Sequence, residues 1–414
     1  MSTRKKDLRN WICSMATVAV VCFLLPASAR SFDDKLSKTF MFDHDDGRYG
    51  QLKANLRLRY ENVEEDDVPR DPANATTLRL RLGYLTPEAN NLQGYIEYDG
   101  NLALQEQYNS GGNGKTQYSK VVDPQESELN QLWVSYNGLA DTDITVGRQR
   151  ILLDDQRFIG PVDWRQLDQT FDAAMAANSS IGNLTIRAGY IGKVQTVKST
   201  LEKMNAPILN LGYEFKGIGL LTGYSYWLDY SDSIDVAKSN QTYGLRFNGS
   251  SKFKQNLTLL YTAEGSYQQD LGDNPNNYQA DRYLLKGGLE TSGVKAIIGY
   301  EQLQGKGAGK TFITPLGTNH AFQGWADKFL TTPDDGVSDV YGQLSTRLAG
   351  ARLMFVYHNF RNDSGGTRYG DEYDLLVSKK FGKHYRLLAK YAYYDADQFS
   401  TNTQKFWLQA EANF

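Results

Sequence analysis

The sequence predicts a closed antiparallel transmembrane β-barrel of about 18 strands, with short turns at one end and long loops at the other. Three observations carry that reading. Segments along most of the chain alternate apolar and polar side chains with a period of two, the pattern of a strand with one apolar face. The chain opens on a basic stretch and then an apolar one, the pattern of an export leader. It ends on Phe406-Trp407-Leu408-Gln409-Ala410-Glu411-Ala412-Asn413-Phe414, with Phe406, Leu408, Ala410, Ala412 and Phe414 on one parity. In water, a free-edged apolar strand is an aggregation hazard. In a closed barrel both edges pair and the apolar face meets lipid.

Arg4, Lys5, Lys6 and Arg9 precede an apolar run from Trp11 to Leu25, and Ala27-Ser28-Ala29 supplies small residues for cleavage. The run is short for a membrane-spanning helix. Residues 1–29 are therefore expected to be a signal peptide, residues 30–48 a short periplasmic lead and residues 49–414 the barrel. Both cysteines, Cys13 and Cys22, fall in the leader, so the expected mature chain has no disulfide or thiol chemistry. The formal net charge is −3 and the leader is basic, so the remainder is more acidic still. That argues against nucleic acid as a partner. Tyr 27, Phe 18 and Gly 38 against Pro 10 fit a barrel in lipid, as does the lack of a later helix-length apolar stretch. A chain of 414 residues would suit two or three soluble domains, but no linker or composition break divides it.

The strands follow in order. Leu52 to Tyr60 alternates with Lys53, Asn55, Arg57, Arg59 and Glu61, and Leu78 to Tyr84 alternates with Arg79 and Arg81. An acidic loop, Glu64 to Pro72, separates these two, and Thr86 to Asn91 makes a tight turn. The pattern continues over residues 92–99, 130–136, 143–149, 170–177, 184–191, 209–215, 220–230 and 243–248. It resumes over 257–267, 283–290, 294–301, 337–347, 352–360, 373–378, 386–394 and 406–414. Short connections such as 137–142, 179–183, 216–219, 291–293 and 381–384 alternate with long ones such as 100–127, 150–169, 268–279 and 304–336. Short periplasmic turns and long extracellular loops give this rhythm.

Energetics set which parity faces lipid. An Arg at the lipid midplane costs about 2–4 kcal/mol. Four of them would exceed what a typical fold can spare. Arg57, Arg59, Arg79 and Arg81 must then face a polar, wet lumen, which suits a channel. Glu64-Glu65-Asp66-Asp67 lacks the spacing of a calcium loop and reads as a solvated loop. Tyr224, Tyr226, Tyr230, Tyr391 and Tyr393 read as an interfacial aromatic belt.

Specific motifs carry a family resemblance. Gly147-Arg148-Gln149 is followed by Asp154-Asp155-Gln156-Arg157-Phe158-Ile159-Gly160, then Asp163-Trp164-Arg165-Gln166 and Thr170-Phe171-Asp172-Ala173. Later come Thr314 to Phe329, Asp339-Val340-Tyr341, Tyr357-His358-Asn359-Phe360 and Tyr369 to Asp374. These resemble the alginate-export family of Gram-negative outer-membrane barrels, over nearly the whole mature chain. The resemblance implies an 18-stranded monomeric barrel in the outer membrane, assembled by the barrel assembly machinery through its C-terminal strand, among lipid and lipopolysaccharide. The exporter that names the family has a strongly basic lumen. Here inward acids such as Glu97, Glu264, Glu301, Asp339 and Glu411 roughly balance the inward bases.

The expected function is passive, selective passage of a small polar or anionic solute or oligosaccharide. Export of an anionic exopolysaccharide and a barrel-embedded hydrolase are the alternatives. Candidate pore-lining residues are Arg57, Arg59, Arg79, Arg81, Arg148, Asp155, Arg157, Arg165, Arg187, Arg246, Arg282 and Arg347. Residues 150–169 either fold into the pore as a constriction or form a salt-bridge network that only holds the loop's shape. In the second long loop, His320, Trp325, Asp327 and Lys328 are candidate constriction contacts, with the loop's own small core as the plainer reading. His320 and Asp327 could pair as base and orienter, but no nucleophile motif such as Gly-x-Ser-x-Gly accompanies them. No catalytic residue, metal site or cofactor is expected.

Overall fold

The computed structural model describes residues 49–414; the expected leader and lead lie outside the described residues. Among those residues, β1 is Gln51–Glu65, β2 Ala73–Leu85, β3 Leu92–Gln107, β4 Ser127–Leu139, β5 Thr142–Gln149 and β6 Thr170–Ile181. Next come β7 Leu184–Gln195, β8 Leu201–Phe215, β9 Gly219–Tyr230, β10 Asn240–Lys254, β11 Leu257–Asp270 and β12 Gln279–Thr291. The last six are β13 Val294–Leu303, β14 Val337–Leu348, β15 Ala351–Arg361, β16 Arg368–Phe381, β17 Tyr385–Ala396 and β18 Thr403–Asn413. Each pairs antiparallel with its sequence neighbours, and β1 closes on β18 with Arg57 opposite Glu411. Closure leaves no edge, so every strand's backbone groups find partners within the sheet. No described helix is long and apolar enough to cross a membrane.

The facing follows the charge argument. Leu56 and Leu58 are over 40% exposed on the outside, while Arg59 and Arg79 are 1% exposed within. Outward aromatics form girdles at the two ends: Trp227 against Tyr243 toward the loops, and Phe247 against Tyr261 toward the turns. The β12–β13 turn needs two positive φ angles, which Ser292 (47°) and Gly293 (83°) supply. That two-residue turn matches the twist of the flanking strands.

All the expected strands are present, but several run further than the alternation shows. β8 begins at Leu201 and β16 at Arg368, both toward the loop side. The physical reason is an inversion of polarity. On β8, inward Met204, Ala206 and Ile208 are buried while outward Lys203 and Asn205 are exposed. Beyond the lipid the outer face meets water, and the inner face packs on a loop inside the barrel.

The same inversion corrects the aromatic belt. Tyr224, Tyr226 and Tyr230 are at most 5% exposed and point inward, packed with Ile159, Phe171 and Ile208. Tyr224 OH donates to Glu264 at 2.7 Å. Tyr391 and Tyr393 lie on the opposite parity from buried Lys390 and Ala392, facing out as expected. The acidic run is also partly strand: Glu64 and Glu65 end β1, and Glu65 pairs with Lys328 at 3.0 Å.

Candidate functional site

The β5–β6 loop (residues 150–169) lies inside the barrel, and the arginines of β1 and β2 hold it there. Arg57 donates to the carbonyls of Asp163 and Arg165, both at 3.1 Å. Arg59 donates to Trp164 O at 2.6 Å, and Arg79 to Gln166 O at 3.3 Å. The arginine rows are thus a cradle for four consecutive backbone carbonyls. Acids neutralise what remains: Arg81 bonds Asp99 at 2.5 Å and Asp168 at 3.0 Å, and Arg165 meets Glu61 at 3.2 Å. Burial pushes the Asp168 carboxyl up, but Arg81, Arg150 and Arg79 outweigh it and hold it below its ordinary value. Val162 sits at φ 51°, which a β-branched residue adopts only when its surroundings force it.

The loop's first half is fixed on the opposite wall. Arg246 reaches Asp155 at 2.8 Å and Glu264 at 2.6 Å. Arg282 bridges Glu264 at 3.1 Å and Glu301 at 2.7 Å, and Arg157 meets Glu301 at 3.3 Å. Arg157 also lies over the Phe322 ring at 4.6 Å. Phe158 fits between Tyr224 and Phe312.

The β13–β14 loop (residues 304–336) docks on the first. Ile159 and Leu316 form a β-bridge, and Gln169 Nε2 donates to Leu316 O at 3.0 Å. His320 stacks on Trp164 with centroids 4.7 Å apart. Its Nδ1 bonds Asp327 at 2.6 Å and its Nε2 accepts from Lys390 Nζ at 2.6 Å. Burial pushes the His320 pKa down to about 3; Asp327 opposes this and Lys390 adds to it. Asp327 also receives Lys405 at 2.7 Å and Arg165 at 3.6 Å. His320, Lys405 and Arg165 together outweigh burial and hold the Asp327 carboxyl well below its ordinary value. With both ring nitrogens engaged, His320 is a structural tie, not an available base. Trp325 packs on Lys390, and Lys328 pairs with Glu65 of β1. The loop's aromatics do not form a core of their own: Phe312 and Phe329 join Phe360, Tyr394 and Trp407 of the wall.

The candidate residues therefore divide. Arg57, Arg59, Arg79, Arg81, Asp155, Arg157, Arg165, Arg246 and Arg282 converge on the inward loops, and most are under 9% exposed. Arg187 and Arg347 lie on the inward parity near the short-turn end and are exposed. Arg148 departs from the expectation. It pairs in register with outward-facing Leu132 at the loop end of β5, and bonds Asp172 at 2.6 Å. The alternation is unbroken: Arg148 follows outward Val146, at a level where the outer face has left the lipid and a charge is tolerated. The alternation count missed Lys390, Trp164 and Trp407 as site residues. Their inward parity or motif position was visible, but not their meeting point.

A wide β-barrel with a polar lumen that holds two inward loops is an outer-membrane channel of the porin class. The chain matches the alginate-export family over residues 48–304, and it belongs to that family. Comparison with curated proteins gives no match. Among solved structures it resembles OccAB2 of Acinetobacter baumannii at 16% identity and TM-score 0.70, covering 88% of this chain and 97% of that one. It also resembles OccK9 (OpdG) of Pseudomonas aeruginosa at 15% identity and TM-score 0.68, covering 88% and 98%. OpdK of Pseudomonas aeruginosa, solved with vanillate, gives 12% and 0.66 with the same coverage. These likenesses concern the fold. Together with the family they make this chain an outer-membrane protein, a channel for selective solute passage.

Proposed function

We propose that the channel passes small or oligomeric anionic solutes passively, through a lumen narrowed by the β5–β6 and β13–β14 loops. The carrying observation is where the lumen keeps basic charge outside any close ion pair. Among the described residues, Arg187, Lys286, Lys295, Arg347, Arg352 and Arg386 face inward near the short-turn end, with no carboxylate within ion-pair distance. Lys286 and Lys295 border a recess of about 960 Å³ together with Thr185, Asn248 and Thr262. Arg347 lies directly opposite Arg352 across β14 and β15. Like charges so placed destabilise a sheet, which favours a functional reason for keeping them. Glu290 lies across the ladder from Lys295 and Glu411 from Arg386, beyond ion-pair distance, and Asp143 and Glu214 are further acids at this level; the bases outnumber them. Fixed charge in a confined pore is weakly screened and biases which ions enter.

Export of an anionic polysaccharide is the second reading, favoured by family membership. In either case the chain works without a catalytic step, as a monomer among outer-membrane lipid and lipopolysaccharide. Its C-terminal strand is the segment read by the barrel assembly machinery. Reversal potentials across planar bilayers in a salt gradient test the charge reading. The parent should prefer anions, and Lys286→Gln with Lys295→Gln and Arg352→Gln should reduce that preference. An unchanged potential would overturn it. Block of the current by long but not short uronate oligomers would favour the polymer reading.

A further inference from the structure

Lys390 is a buried ammonium, 5% exposed, in the wall of the barrel on β17. Among the described residues no carboxylate lies within ion-pair distance of it. Its neighbours are instead three indole rings: Trp325 at 3.8 Å, Trp164 at 4.2 Å and Trp407 at 5.3 Å from the ammonium. One hydrogen bond completes the set, to His320 Nε2 at 2.6 Å.

The origin of those groups is what matters. Trp164 comes from the β5–β6 loop, Trp325 and His320 from the β13–β14 loop, and Trp407 from β18. A cation over several ring faces is attracted to each of them, most strongly where water is excluded. A buried charge that loses such partners is left unsolvated, so it resists the departure of any one. Withdrawing either loop would strip this ammonium of an indole, and withdrawing the second would also remove its only hydrogen-bond acceptor among the described residues. Other contacts also reach this wall: Asp327 joins Arg165 to Lys405 of β18, and Trp407 meets both Trp164 and His320. Lys390 differs in meeting both loops through one buried charge.

We infer that Lys390 is a positioning residue that, with the Asp327–Lys405 pair beside it, makes the two inward loops one body fixed to the β17–β18 wall. The two loops then keep or leave their places together. The charged groups around the cage are consistent with that role. Asp327 and Arg165 belong to the two loops, Lys405 and Arg59 to the wall strands, and Arg59 stacks on the far partner Trp164 at 4.3 Å. Asp327 is already engaged by His320, Lys405 and Arg165, and buried Asp374 of β16 by His358 and the Trp325 N–H, so neither replaces the cage as a close counter-ion for Lys390.

This rests on the reading that the two loops narrow the lumen, and the test separates the two ideas. The full-length barrel and Lys390→Met are reconstituted in planar bilayers, with folding checked by heat-modifiable gel mobility. Met keeps the stem and the volume but removes the charge and the donor. The parent should show one steady open level, and Lys390→Met should split it into two or more as the loops move independently. Trp325→Leu, a loop change that leaves the wall intact, should do the same and serves if Lys390→Met does not fold. A single steady level in a folded variant overturns the inference. Deleting residues 154–161 tests the narrowing itself. Unchanged conductance on deletion sinks the narrowing; raised conductance with a steady Lys390→Met channel sinks only the coupling.

Discussion

Replacing Arg59 with Gln should open the channel without changing its ion preference. Arg59 is 1% exposed and donates to Trp164 O at 2.6 Å and to Gln409 Oε1 at 2.8 and 3.1 Å. It lies over the Trp164 ring at 4.3 Å and 3.6 Å from Asp123. A hydrogen bond from a charged donor contributes about 1.5–3 kcal/mol, and a desolvated cation–π contact about 2 kcal/mol. Removing one partner of a buried ion pair costs about 3–5 kcal/mol in all, because the other charge is left behind. The barrel ladder does not depend on Arg59, so this loss falls on loop docking. About 3 kcal/mol lowers the ratio of docked to undocked loop by about a hundredfold. Single-channel recording should show a higher or fluctuating conductance, and limited proteolysis should cut residues 150–169 sooner. The reversal potential should stay near that of the parent, because Asp123 and the loop carbonyls already compensate this guanidinium. A variant with parent-like conductance but reduced anion preference would refute the reasoning. It would mean that Arg59 faces the conducting water and not the loop.

Ile298 is 72% exposed on the lipid face of β13, so Ile298→Arg should lower the folded yield in outer membranes by about 2–4 kcal/mol of insertion free energy. Lys295→Leu, on the inward parity of the same strand, should leave that yield near the parent; equal losses would invalidate the facing. Deleting residues 154–161 should raise conductance and relax solute discrimination in a barrel that still shows heat-modifiable mobility. Docking of the β13–β14 loop should weaken on acidification. An undocked His320 takes its proton near 6.5, while the docked ring holds out to about 3, so falling pH through that window favours the undocked state. Asp327, held low by its partners, acts in the same direction below its ordinary value. Tryptophan fluorescence should report the change, and His320→Gln should flatten it above pH 4 or so; a profile identical to the parent would exclude His320 as its source.

The barrel itself was legible residue by residue. Leu56-Arg57-Leu58-Arg59 and Leu80-Arg81-Leu82 can satisfy lipid on one side and water on the other in only one facing, because a strand has a period of two and lipid does not solvate a guanidinium. The length of the loops and the shortness of the turns followed from the same pattern. Where the chain leaves the lipid the signal inverts, so alternation does not mark Met204 and Tyr226 as inward residues and covers only part of β8.

What the lumen arginines do was beyond any local pattern. In sequence Arg57, Arg59, Arg79 and Arg81 are four charges on two strands, equally suited to lining a pore or holding a loop. Their partners, the carbonyls of residues 163–166, lie roughly a hundred positions away, and only the closed barrel brings them within hydrogen-bond distance. Lys390 meets Trp164, Trp325 and Trp407 from three separate elements for the same reason. Within the lipid-spanning part of each strand, sequence determines which face a residue takes, because solvation acts there locally. Tertiary structure decides which charges remain free, because pairing depends on where the long loops come to rest inside the barrel.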